Sequence, residues 1–164
     1  MATDAMTVAQ PAPAALARLL ALGVPAALLV GAYLSQYVGG LHPCEMCYWQ
    51  RWPHFAAVAL AALAFLFAAP TRNARLLTGI AAVAIAISGA IGVFHAGVEY
   101  DWWEGLTRCA SGGPMTLEDI MNVPLVRCDE VQFKFLDVSM AGWNAIISLG
   151  SAAFIALLLK RASA

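Results

Sequence analysis

His42-Pro43-Cys44-Glu45-Met46-Cys47-Tyr48-Trp49-Gln50-Arg51 is the stretch on which the reading of this chain turns. Residues 19–41 before it carry no charge, and residues 52–71 after it carry none either. Cys44 and Cys47 can close a small disulfide, and thiols at this spacing tend to ionise easily, which suits them to exchange rather than to bracing a fold. A reactive dithiol at the mouth of an apolar helix suggests electrons passing between protein thiols and something dissolved in lipid. Half of a zinc site, or an inert bridge, is the competing reading of the same pair.

Composition supports the membrane setting. The chain has 164 residues, of which 62% are hydrophobic and 12% charged, with a mean hydropathy of +0.75. Soluble domains are about 45–50% apolar and about 25% charged, so an integral membrane protein is predicted. A net charge of -1 gives no case for nucleic-acid binding. Residues 1–14, rich in Ala, Pro and Thr with Asp4 as the one charge, read as a disordered cytoplasmic tail.

Four uncharged runs, 19–41, 52–71, 76–98 and 138–159, hold 20 to 23 residues each. About 20 helical residues cross a hydrocarbon core, so each can span with its backbone bonded internally. The expectation is an all-α integral membrane protein, a single four-helix bundle over 15–162. Its spans lie at about 16–41, 49–71, 74–98 and 138–160, and its periplasmic loops at 42–48 and 99–137. The first run is too long for a cleaved signal peptide and lacks a basic start beyond Arg18. Pro53 is placed in the first turn of the second span, where its missing N–H costs little, and Pro25 is expected to kink the first. Small residues along the third run, among them Gly79, Ala82, Ala86, Gly89 and Gly92, would let helices approach closely.

Basic residues set the orientation. Arg18, then Arg72 and Arg75, then Lys160 and Arg161 fall at three places that four crossings put on one side. Both termini are therefore expected in the cytoplasm, with Cys44, Cys47, Cys109 and Cys128 on the outer side, a compartment that in a bacterium favours disulfides. Within 99–137, Ser111-Gly112-Gly113-Pro114 reads as a joint. Residues 116–122 read as a short amphipathic helix, N-capped by Thr116, that either lies on the membrane surface or packs on the bundle. Phe133, Phe135, Leu136 and Trp143 are expected to re-enter the interface as anchors.

Pro-Cys-x-x-Cys-x-x-x-Arg at 43–51, four spans and a second cysteine pair in an outer loop resemble the disulfide-bond-formation protein B (DsbB) family. Arg127-Cys128-Asp129-Glu130 with Gln132-Phe133, and Ser139-Met140-Ala141-Gly142-Trp143-Asn144, are similar to that family's approach to its last helix. The resemblance covers roughly residues 16–160. The 18 residues between Cys109 and Cys128 are few for the family. It implies a thiol:quinone oxidoreductase of the inner membrane. Such an enzyme reoxidises a periplasmic thioredoxin-like oxidase (DsbA) and passes the electrons to ubiquinone or menaquinone. The resemblance further implies that Cys109 forms the mixed disulfide with the partner. Cys128 is its mate and can re-pair with Cys44, which leaves Cys47 free beside the quinone. Exchange of this kind proceeds by successive thiolate attacks.

The residues around the motif can be read in the same terms. Cys47 lies where exposed N–H groups and the helix dipole favour a thiolate, and Arg51, four residues on, shares its face. The arginine would support that thiolate and stabilise negative charge on a quinone oxygen, without belonging to the packed bundle. Its competing reading is an anchor that snorkels to headgroups. His95 and Glu99 also share a face. Either His95 bonds a quinone carbonyl or relays its protons with Glu99 orienting it, or it is a satisfied interfacial histidine. His54 is read as interfacial, and Trp49, Trp52, Trp102 and Trp103 as an aromatic belt. No metal is expected. A vitamin K epoxide reductase-like enzyme would usually carry its Cys-x-x-Cys late in the chain. A zinc site made by all four cysteines fits the long Cys109–Cys128 separation poorly. A purely structural membrane protein with two bridges is the remaining reading.

Overall fold

The computed structural model describes residues 12–67, 71–106 and 126–162. Cys109, the joint at 111–114, the helix expected at 116–122 and the tail up to residue 11 lie outside the described residues. Four long helices form the molecule: α1 (Ala12–Tyr37), α2 (Glu45–Phe65), α3 (Arg72–Glu99) and α4 (Met140–Arg161). Each packs on the next, α1 closes the ring against α4, and α1 touches α3 across the diagonal. Two short strands, β1 (Lys134–Phe135) and β2 (Val138–Ser139), pair antiparallel with Lys134 opposite Ser139. Leu136 and Asp137 between them both adopt positive φ, the geometry of a tight two-residue hairpin turn.

Side-chain size is distributed as in a membrane bundle. The interior is lined by small residues such as Ala17, Ala21, Ala57, Ala61, Ala81 and Ala152, with Ile85 and Ile155 among them. Large aliphatics, Leu19, Val30, Ile80 and Leu157 for example, stand exposed on the outside of the helices. Water would disfavour that arrangement, whereas lipid tails accept it and close backbone approach drives the packing. A Cβ on Gly92 would stand 3.0 Å from Ala141 O, Ala145 N and Asn144 Nδ2, so α3 and α4 meet there almost backbone to backbone. Helices α1, α3 and α4 are each long and apolar enough to cross a membrane. Helix α2, with Glu45, Gln50 and Arg51 in its first two turns, is not among the helices that meet that measure.

Several boundaries differ from the expectation for physical reasons. Helix α1 stops at Tyr37, ahead of Gly39 and Gly40, the latter in the left-handed region at φ +68. Helix α2 begins at Glu45 because Cys44 is its N-cap, extended in backbone and accepting from Cys47 N through its sulfur at 3.3 Å. Pro53 thus sits well inside α2 rather than in its first turn, where it deprives the Trp49 carbonyl of its helical donor. Arg18 ties α1 to the end of α2. It is buried, donates from Nη2 to Ala64 O at 2.7 Å and lies 4.4 Å over the Phe65 ring, so α1 caps the last carbonyls of α2.

Candidate active site

Three elements converge at the N-terminal end of α2. As N-cap, Cys44 places its sulfur at the helix mouth, and Cys47 follows one turn later with its sulfur 3.0 Å away. The segment 126–139 folds over them, tied to the preceding loop by Gln132 Nε2 donating to His42 O at 2.8 Å. Cys128 is fully buried in that fold, packed in one cluster with Cys44, Met46 and Val98. Cys44, Cys47 and Cys128 are all free thiols.

Hydrogen bonds polarise the pair. The Cys44 thiol donates to the Cys47 sulfur, and this is the main reason that Cys47 ionises below the ordinary thiol range. The backbone at Cys44 and the charge of Arg51 add to it against burial and Glu99. Cys44 is pushed the other way, first by its bond with Cys128, then by that with Cys47 and by burial. One thiol is therefore held as the proton carrier and its neighbour as the nucleophile.

Arg51 belongs to the packed bundle, contrary to the expectation. It is 8% exposed, donates to Gln36 Oε1 at 2.6 Å and Ala32 O at 3.4 Å, and lies over the rings of Tyr33 and Tyr48 at 5.0 and 5.2 Å. Burial and bonding to α1 rule out a headgroup anchor. His95 reaches in from α3, with Nε2 3.5 Å from Cys44 Sγ and 3.8 Å from Glu99 Oε1, and Nδ1 2.8 Å from Gln50 Nε2. His54 is likewise buried, with Nε2 2.9 Å from both Asn144 Oδ1 and Ser88 Oγ. The four tryptophans stand exposed as a belt would. Trp103 is also fixed, bonded to Phe94 O at 2.8 Å and stacked on the Phe94 ring.

A cavity of about 310 Å³ opens between α1, α2 and α4 against these groups. Arg51, Cys47, His54, His95 and Glu99 face it from one side, and Ala27, Leu28 and Gly31 of α1 are among the apolar residues that close it. Among the described residues, His54 Nδ1 and Glu99 Oε2 are buried polar atoms without a partner. The ligand atoms of Cys44, Cys47 and His95 lie within 4.8 Å of one another, so these three could also hold a soft metal ion. Gln50, Ser88 and Asn144, which knit α2, α3 and α4 together inside the bundle, were not anticipated. The available signal was polar side chains on apolar spans, which are costly in lipid unless used.

Comparison with known proteins agrees with this construction. A family model described as "Disulfide bond formation protein DsbB" matches residues 14–158. The chain is 34% identical over 167 residues to "Disulfide bond formation protein B" of Polaromonas naphthalenivorans, covering 92% of this chain and 95% of that one. It is 35% identical over 143 residues to the protein of the same name from Methylococcus capsulatus, covering 79% and 84%. "Disulfide bond formation protein B 2" of Pseudomonas entomophila is 29% identical over 140 residues, covering 79% and 80%. No solved structure matches. With a family match over most of its length and full-length relatives above 30% identity, the chain belongs to the DsbB family of disulfide bond formation proteins.

Proposed function

We propose that the protein is a thiol:quinone oxidoreductase of the bacterial inner membrane. In this reading it takes two electrons from the dithiol of a periplasmic DsbA-like, thioredoxin-fold oxidase and delivers them to ubiquinone or menaquinone. All four helices cross the bilayer, both termini are cytoplasmic, and the cysteines are periplasmic. The observation that carries the reading is the Cys44–Cys47 pair, already polarised, on the wall of a cavity that holds a buried arginine.

The residues fit a quinone. The cavity lies at the low end of the range for small-molecule sites, roughly 300–1,000 Å³. It offers Arg51 to a ring oxygen that gains negative charge, and it contains two buried polar atoms in need of partners. When bound, the quinone supplies an acceptor for two electrons and two protons. Cys109 and Cys128 exchange with the partner dithiol, and attack by the freed Cys128 thiolate on Cys44 breaks the Cys44–Cys47 bond. The electron pair is left on Cys47, next to the cavity. Cys128 is packed with Cys44 and bonds to it, which makes that attack short.

Purified protein mixed with a reduced thioredoxin-fold oxidase and either quinone should consume quinone absorbance and one dithiol per quinone. Dithiol oxidation that proceeds equally without any quinone would overturn the reading. The cluster of Cys44, Cys47 and His95 supports one alternative, a bound soft metal, and a stoichiometric metal content in the purified reduced protein would favour it.

A further inference from the structure

We infer that Gln50 and Asn144 are positioning residues that hold His95 with its proton on Nε2, aimed at the Cys44 sulfur. Two backbone carbonyls fix both amides. The Gln50 side-chain atom 3.2 Å from Met46 O must be the NH₂, because a carbonyl only accepts. The Asn144 atom 3.2 Å from Ser88 O must be NH₂ for the same reason. That Asn144 nitrogen also donates to Gln50 Oε1 at 2.8 Å, which locks the glutamine the same way round a second time. The remaining hydrogen of Gln50 Nε2 then points at His95 Nδ1, 2.8 Å away. Nδ1 must accept, so it carries no proton.

The imidazole proton therefore sits on Nε2. There it meets only acceptors, Cys44 Sγ at 3.5 Å and Glu99 Oε1 at 3.8 Å. The network continues outward with the same sense. Asn144 Oδ1 accepts from Ser148 Oγ at 3.0 Å and lies 2.9 Å from His54 Nε2, and turning the asparagine over would set that oxygen against Ser88 O and Gln50 Oε1, which only accept. The contacts of His95 with Gln50, Cys44 and Glu99 thus agree on one tautomer.

The consequence for turnover rests on the thiol:quinone reading, whereas the position of the proton does not. When a thiolate attacks Cys128 in a Cys44–Cys128 disulfide, a new S–S bond forms at Cys128 and the old one breaks. The electron pair leaves on Cys44, and no proton moves. The Nε2–H of His95 is the donor waiting for that thiolate. Were the proton on Nδ1, an imidazole lone pair would face the new negative charge.

Nitrogen-15 spectra of histidine-labelled full-length protein in micelles test the assignment directly. His95 should show a protonated Nε2 and a hydrogen-bonded imine Nδ1, and a proton on Nδ1 would overturn the inference. Gln50→Glu replaces the donor at Nδ1 by an acceptor and should invert the tautomer. In the reduced chain it should also slow alkylation of Cys44, followed by mass spectrometry, by about tenfold, the scale of one hydrogen bond to a charged group. An unchanged tautomer in Gln50→Glu would remove Gln50 from the role. Should that variant fail to fold, Gln50→Met should shift Nδ1 to the resonance of an unbonded imine, and no shift would be equally decisive. Asn144→Ala should move the same resonance by less, and if it does not, Asn144 has no part. These readouts use neither quinone nor partner, so their failure is separable from failure of the enzymatic reading.

Discussion

The hydrogen bond from Cys44 is the main cause that lowers Cys47, and that makes the depression testable by removing the donor. As pH falls through the depressed midpoint of Cys47, its thiolate is protonated and alkylation slows. Cys44→Ala deletes the main cause of the depression and should move that midpoint up, so at mildly acidic pH the variant should react more slowly. Arg51→Ala should raise the midpoint by less, since its charge contributes less than the Cys44 bond. Alkylation rates of Cys47 across pH in both variants check the order, and a larger shift in Arg51→Ala would reverse it. Arg51 carries a second expectation. Arg51→Lys keeps the charge and should retain partial quinone turnover, while Arg51→Ala should lose far more and raise the apparent KM for quinone. Because the guanidinium is buried against Gln36 and Ala32, Arg51→Ala should also cost about 1–3 kcal/mol of stability, read by thermal unfolding in micelles. Full activity of Arg51→Ala at limiting quinone would move the quinone site away from this residue.

Close approach of α3 and α4 is what brings Asn144 within reach of Gln50 and Ser88, and glycine is what permits it. Replacing a helical glycine by alanine ordinarily gains up to about 1 kcal/mol. At Gly150, where a Cβ meets nothing within 4 Å, that gain should appear. At Gly92 the new methyl would press on two backbone atoms of α4 that cannot rotate away, so Gly92→Ala should lower the unfolding temperature instead. Equal responses at the two positions would mean that the helices are not packed as described. The small-residue spacing on α3 is visible in the sequence, as are the apolar helices and the dithiol at the mouth of α2, because each is a local pattern. Gln50 bonding to His95 and Asn144 bonding to Gln50 join residues 45 and 94 positions apart, and no periodicity encodes such a pairing. The start of α2 was obscured for another reason. Its first two turns are polar, so the uncharged run begins at residue 52 while the helix begins at the Cys44 cap. The same long-range packing drew Arg51 inward, where a charge at a helix mouth would otherwise be read as facing headgroups.

Whether the whole molecule crosses the membrane four times depends on α2, long enough at 21 residues but with a polar first half that keeps it from being apolar enough. Its C-terminal half is compatible with the proposed fourth crossing. Phe55, Leu63 and Phe65 project outward beside similarly exposed residues of the other helices, and the polar half is buried against α1, α3 and α4 instead of facing lipid. Bundled charge is tolerated in a bilayer when it is paired inside the protein. The proposed orientation puts Arg18, Arg72 and Arg161 on the cytoplasmic side, and Glu104 and the segment 126–139 on the periplasmic one. Cys128 is too deeply buried to report on this by labelling, so new cysteines are needed. In a chain whose own cysteines are replaced by serine, Val38→Cys, Asn73→Cys and Glu104→Cys each place a thiol at an exposed position just beyond a helix end or in its first turn. A membrane-impermeant thiol reagent applied from the periplasmic side of a Gram-negative host should label positions 38 and 104. It should reach position 73 only once the inner membrane is opened. Positions 38 and 73 bracket α2 alone, so labelling of both from the same side would show that α2 does not cross. The cavity would then have to open to water rather than to the quinone dissolved in lipid.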